Sequence, residues 1–184
     1  MEIQGVPFTF GSVLFRLLLS AAVSGVIGYG RTVRGRPSGL RTYMVTGIGA
    51  TLSVLISLFV YEMLKGAWSP AVEAVGLKFD GSRYAAQVIS GVGFLAAGTI
   101  ISGRHRQAEG LTTAAAMFCT VCMGLAAGAG FYECVITALV LILLILIVLF
   151  PFELWLKNKF GRMALYVEFD SIEHVEAITS SLEA

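Results

Sequence analysis

Charge is scarce in this chain: 14% of its 184 residues are Asp, Glu, Lys or Arg, against 57% hydrophobic, with a mean hydropathy of +0.82. So little polar surface cannot cover a water-soluble globule of this size, and lipid must cover the rest. The formal net charge of +1, with no basic face apart from loop clusters, argues neither for a nucleic-acid partner nor for an acidic substrate, and no nucleic acid is expected. Cysteine is nearly absent. Cys119 and Cys122 have C-x-x-C spacing but no second ligand pair, so neither zinc nor thioredoxin chemistry follows. Cys134 has no sequence partner and gives no disulfide framework. The two histidines, His105 and His174, are isolated, and no Ser-His-Asp, paired-carboxylate or phosphate-cradling pattern is visible. The expectation is a protein that is not an enzyme, with no cofactor and no metal site. A positive n-region is missing too, since the chain opens Met1-Glu2, and the first apolar run is expected to remain as a span.

Long apolar runs are what the sequence does have. A spanning helix needs roughly 20 mainly apolar residues. Five runs qualify: Phe8–Tyr29, Tyr43–Leu64, Tyr84–Ser102, Leu111–Gly128 and Phe131–Phe150. Residues 1–155 are therefore expected to form an all-α, five-span transmembrane bundle, with residues 156–184 as a cytoplasmic tail. Gly, Pro and four arginines make residues 31–41 a basic loop. Residues 71–75, after Trp68-Ser69-Pro70, suit a short interfacial helix. The glycines of Gly128-Ala129-Gly130 allow a tight hairpin, against the alternative of one long helix. In the tail, residues 163–169 alternate like a strand. Asp170 and Glu173 then resemble a capping box, so the tail reads as the incomplete beginning of an α+β unit.

Arg31, Arg34, Arg36 and Arg41 fall between spans one and two, Arg104 and Arg106 between three and four, and Lys157, Lys159 and Arg162 after five. The positive-inside rule puts these segments in the cytoplasm, with the N-terminus outside and the C-terminus inside. Topology alone accounts for the loop-one arginines, though their geometry also suits anionic lipid or an acidic surface.

Arg16 lies inside span one, where it either snorkels to the outer headgroups or pairs with Glu62, Asp80 or Glu133. Asp80, Arg83 and Gln87 fall on one helical face at the mouth of span three, as a polar site or as a helix cap with an interfacial anchor. Small residues mark packing faces: Gly49, Ser53 and Ser57 in span two; Ser90, Gly91, Gly93, Ala96, Ala97 and Gly98 in span three; Gly124 and Gly128 in span four. Thr99, Thr112 and Thr113 can satisfy local backbone carbonyls or hydrogen-bond across helices, with helix packing the plainer reading. Span five carries no polar stripe and is expected to face lipid. The bilayer, and a membrane-protein partner or self-association, are the expected partners.

Three blocks carry a family resemblance. Ser24-Gly25-Val26-Ile27-Gly28, Arg31 and residues 34–42 resemble the signature loop of the MgtC/SapB family of bacterial membrane proteins. Residues 80–100 resemble its third span. Gly110-Leu111-Thr112-Thr113-Ala114-Ala115 with residues 124–130 resembles its fourth. The resemblance implies a five-span domain in the bacterial inner membrane, often followed by an ACT-like cytoplasmic domain whose start the tail resembles. It also implies association with magnesium, acid tolerance and survival in host cells, by modulating other membrane proteins. An oligomeric transporter or channel for Mg2+ or another small solute is the alternative. Where the family usually has Gly-Leu-Glu-Arg, this chain reads Gly28-Tyr29-Gly30-Arg31, so a mechanism needing that carboxylate is not carried over.

Overall fold

The computed structural model describes residues 2–3, 6–7, 9–36, 38–76, 78–101 and 107–160. Among the described residues a short antiparallel pair, β1 (Glu2–Ile3) with β2 (Val6–Pro7), precedes six helices. These are α1 (Phe10–Val33), α2 (Leu40–Lys65), α3 (Ser69–Val75), α4 (Ser82–Ile101), α5 (Gln107–Ala129) and α6 (Tyr132–Phe160). The chain divides into two compact units, Met1–Leu146 and Ile147–Ala184, and α6 runs through the division, with Pro151 inside the helix. The expected βα tail lies outside the described residues.

Four helices, α1, α2, α5 and α6, have the length and apolar composition to cross a membrane. The expectation was five. α4 has 20 residues, about 30 Å at roughly 1.5 Å per residue, so its length suffices. Arg83, Gln87 and Ser90 lower the hydropathy of its first half. The short helix expected near Trp68 is α3, with Pro70 in its first turn and Gly76 closing it. The hairpin after α5 is also present. Gly130, at φ +87°, takes a conformation that L side chains rarely adopt, and Phe131 N–H closes the turn by donating to Ala126 O at 2.9 Å.

α1, α2 and α5 pack together, and α4 lies mainly against α5. One buried cluster holds Val23, Ile27, Tyr43, Met117, Met123, Ala127 and Val135. A second joins Ala50, Val92, Val121 and Leu125. Close approach rests on glycine. A Cβ on Gly124 would stand 2.7 Å from Gly47 O, and one on Gly128 2.8 Å from Thr51 O. At Gly28 a Cβ would meet Leu40 Cα at 2.8 Å, where α1 and α2 converge beside loop one. Small residues let helices meet backbone to backbone where no hydrophobic force between helices operates.

Gly124 and Gly128 thus pack as expected, but the other two small-residue faces need correction. α2 packs through Gly47, Ala50, Thr51 and the expected Ser57, which is buried and donates to Gly81 O at 3.1 Å, and not through Gly49 and Ser53. Gly49 is exposed with open space around it, and Ser53 donates to its own helix at Gly49 O. The contact face follows steps of three and four from Gly47, which leaves Gly49 on the opposite side. In α4, Ser90, Gly91, Gly93 and Gly98 are exposed, and Val92 is buried. The exposed side chains of the α6 span agree with a lipid-facing surface.

Candidate functional site

Two arginines are buried on α1, Arg16 at 3% exposure and Arg31 at 7%. They stand about 22 Å apart along the helix axis at roughly 1.5 Å per residue. Steps of four from Arg16 reach Ser20 and Ser24, both buried, so one face of α1 carries a polar seam through an apolar bundle.

At one end the Arg16 guanidinium turns into the protein. Nη1 donates to Gly128 O at 2.7 Å, and Nε donates to the Tyr132 hydroxyl at 3.2 Å. Neither expected arrangement holds, because Arg16 does not snorkel and none of Glu62, Asp80 and Glu133 is its partner. The hairpin after α5 supplies the reason. The last turn of a helix leaves carbonyls without intrahelical partners, and Gly130, where a Cβ would stand 3.3 Å from Arg16 Nη2, leaves room for the guanidinium beside them.

At the other end, Arg31 is not a loop residue. It occupies the last turn of α1, donates through Nη2 to Thr113 Oγ1, and lies over the Tyr43 ring at 5.9 Å. The Tyr43 hydroxyl donates to Thr113 O at 3.2 Å. One arginine thus links α1, α2 and α5. Of the readings open to Thr113, the structure shows the hydrogen bond across helices. Sequence reasoning placed Arg31 with Arg34, Arg36 and Arg41, but those three lie outside the core: Arg34 and Arg41 are exposed and Arg36 is half-buried.

Between the arginines the seam is closed. Thr51 donates to Gly124 O across the α2–α5 contact, and Thr120 donates to Ala116 O within α5, each at 2.8 Å. Gly47 lies directly against the Ser24 and Ser20 hydroxyls. These contacts pack the stretch of the seam between the two arginines.

Asp80, Arg83 and Gln87 are exposed. Asp80 Oδ1 accepts from Ser82 N–H at 3.1 Å and from Ser82 Oγ at 2.6 Å, and Oδ2 lies 3.6 Å from Arg83 Nε. The group is a local helix cap with a surface ion pair. The Ser82 hydroxyl and N–H, and after them Arg83, hold the Asp80 carboxyl below its ordinary value. A depressed carboxylate contributes its stabilisation at neutral pH and loses it as pH falls through the lowered folded value. Ser82→Ala is expected to move the Asp80 titration up toward the ordinary carboxylate range, read by carbon-detected NMR of the side chain. An unmoved midpoint would mean that the serine does not hold the carboxylate.

All three cysteines are free. They line one apolar groove of about 350 Å3 between α5 and α6. A second cavity, about 470 Å3, lies between α2, α4 and α5, lined by Val54, Ser57, Leu125 and Phe131 among others. Among the described residues no three His, Cys, Asp or Glu side chains gather as a metal site.

The chain matches the MgtC family over residues 17–155. It is 39% identical over 146 residues to "Putative magnesium transporter YhiD" of Escherichia coli K12, covering 79% of this chain and 64% of that protein. Protein SapB of Bacillus subtilis is 32% identical over 150 residues, covering 81% of this chain and 60% of SapB. Protein MgtC of Brucella abortus is 35% identical over 129 residues, covering 70% and 48%. This chain therefore spans less than two thirds of the length of these relatives. No solved structure matches it. The matched region runs from Leu17, directly after the first buried arginine, through Arg31, Tyr43, Thr113 and the packing glycines, and the chain belongs to the MgtC family of multi-pass membrane proteins.

Proposed function

We propose that this chain is a non-enzymatic protein of the bacterial inner membrane that modulates other membrane proteins during adaptation to low magnesium, acid or host stress. In this reading α1, α2, α4, α5 and α6 each cross the membrane, with the N-terminus outside and the C-terminus in the cytoplasm. A reporter fused after α6 is expected to read as cytoplasmic, and an external signal would overturn that topology.

One observation carries the docking role. α4, long enough to span, turns Gln87, Ser90, Gly91 and Phe94 outward, with Phe94 83% exposed. Polar and small side chains gain little from lipid tails, whereas a second helix can meet them closely. α6, by contrast, turns Leu, Ile and Val outward and suits lipid itself. A photo-crosslinking residue at position 94, introduced into the full chain in native membranes, is expected to capture a membrane protein or a second copy. The same residue at position 144 is expected to capture lipid. Lipid alone at both positions would overturn the docking role.

The name of the Escherichia coli relative favours a second reading, in which an oligomer carries Mg2+ past the mouth formed by Asp80, Arg83 and Gln87. Magnesium takes oxygen ligands and keeps most of its waters, and among the described residues no three His, Cys, Asp or Glu side chains gather to hold it. Magnesium uptake into liposomes holding the purified protein, lost on Asp80→Asn, would establish transport over modulation.

A further inference from the structure

Side chains do not fill the whole bundle. The cavity between α2, α4 and α5, of about 470 Å3, reaches the surface between the start of α4 and the α5–α6 hairpin, where Ser82, Tyr84 and Phe131 are exposed. Its floor is buried, at Ser57 and Leu125. A water held in such a place needs about 2–4 polar partners, and the lining hydroxyls are largely taken. Ser57 Oγ donates to Gly81 O at 3.1 Å, and Ser82 Oγ donates to Asp80 Oδ1 at 2.6 Å. Apart from the Tyr84 phenol, the other lining side chains are apolar. An empty space forfeits packing contacts along its wall, so the cavity favours an apolar occupant.

The surroundings decide which apolar molecule is at hand. The floor residues belong to α2 and α5, both long and apolar enough to cross a membrane. Beside the mouth, Tyr61, Phe79 and Tyr84 form a row of rings with successive centroids 6.2 and 6.3 Å apart, and Lys65 Nζ stands 4.4 Å over the Tyr61 ring. Trp68, just beyond the end of α2, is exposed. Tyrosine and tryptophan gather where membrane meets water. Tyr84 belongs both to this row and to the cavity wall, which sets the mouth at the level of lipid headgroups and the floor at the level of acyl chains. The mouth also carries charge. Arg83 follows the lining residue Ser82, and its side chain is 83% exposed with Nε toward Asp80. A guanidinium has five N–H donors in a fork, so a lipid phosphate can share it with the carboxylate.

We propose that this cavity is a binding site for one phospholipid of the surrounding bilayer, with an acyl chain reaching the floor at Leu125 and the phosphate on Arg83. A phospholipid is the molecule that offers an apolar chain and an anionic group at these two depths. Ala85 lines the site, whereas Phe94 faces away on the exposed side of α4. The site therefore rests on the membrane placement of the chain and not on the docking role proposed above, so failure of one leaves the other standing.

The test places the full chain in phosphatidylcholine nanodiscs that contain a small fraction of phosphatidylcholine with a photoreactive diazirine on one acyl chain. Irradiation followed by peptide mass spectrometry locates the adducts. Exposed residues of α6 are labelled in any case, because they face lipid. The proposal expects adducts at Leu125 as well, a buried residue that only a chain inside the cavity can reach. Labelling of α6 with none at Leu125 would overturn it. Ala85→Phe fills the cavity, and since ring and chain compete for one volume it is expected to cut labelling at Leu125 about tenfold while α6 stays as before. Ala129→Leu narrows the space from α5 and is expected to act in the same direction, which keeps the test open if Ala85→Phe does not fold. Leu144→Phe adds bulk on the exposed face of α6 and is expected to leave Leu125 labelling unchanged. Arg83→Gln is expected to lower it about threefold, the scale of an exposed charge contact. Undiminished labelling at Leu125 in a folded cavity-filling variant, or in Arg83→Gln, would overturn the proposal.

Discussion

Gly124→Leu is expected to abolish the packed bundle, leaving protein that aggregates on gel filtration in mild detergent and shows no cooperative melt. The reason lies in the first atom added. A Cβ at 124 would already stand 2.7 Å from Gly47 O and 2.9 Å from Ala50 Cβ, so relief requires the backbones of α2 and α5 to separate. Overpacking a core typically costs about 1–3 kcal/mol when side chains can shift, and more when they cannot. Separation also breaks the bond from Thr51 Oγ1 to Gly124 O, stranding a buried hydroxyl at a cost of about 1–3 kcal/mol. The two losses together consume a large part of a typical stability of about 5–15 kcal/mol. Gly128→Leu meets Thr51 O and Val54 Cβ in the same way and is expected to behave alike. Gly49→Leu and Gly91→Leu have open space on the same criterion, and are expected to elute and melt as the wild type does. Leucine tolerated at 124 and refused at 49 would reverse the assignment of the α2 contact face.

That contrast marks where the sequence was legible. Four of the five expected spans, the α5–α6 hairpin and the short α3 follow from hydropathy, glycine and proline, which act locally. The packing glycines of α5 were readable because they recur at a spacing of four. On α2, glycine occurs at 47 and at 49, and composition favours neither. The choice depends on which face α1 and α5 present, and that is tertiary. The same limit hid the two arginine partnerships. Arg16 was expected to reach either the outer headgroups or a carboxylate, but its partner is a main-chain carbonyl at a helix ending at Gly128-Ala129-Gly130, which no side-chain pattern announces. Arg31 was grouped with its loop neighbours because three arginines follow it closely. Its signal was available in part: Arg16, Ser20 and Ser24 recur at steps of four, and Gly28 and Arg31 continue the same face.

Arg16→Glu is expected to be the most damaging single change at the opposite end of that face. Hydropathy alone predicts otherwise. An arginine in a span costs about 2.5–3.5 kcal/mol on insertion scales, and a carboxylate costs a similar amount, so the exchange looks neutral. The partners decide the sign. Gly128 O is an acceptor that receives from Arg16 Nη1 at 2.7 Å, and a carboxylate there would face it with no proton between them. A buried charge without a partner costs about 3–5 kcal/mol relative to the matched one, so Arg16→Glu is expected to fail to assemble. Arg16→Met removes the charge and its two hydrogen bonds together. The lost bonds, at about 1.5–3 kcal/mol each, are partly offset by the relieved insertion cost, which leaves a deficit of roughly 1–3 kcal/mol. Tyr132→Phe takes one acceptor from Nε and keeps the other bond, for about 1–3 kcal/mol. Denaturant unfolding in mixed micelles would rank the three, with Arg16→Glu far below a closely spaced Met and Phe pair. Equal stability of Arg16→Glu and Arg16→Met would instead mean that the guanidinium reaches the headgroups, leaving Gly128 O without its donor.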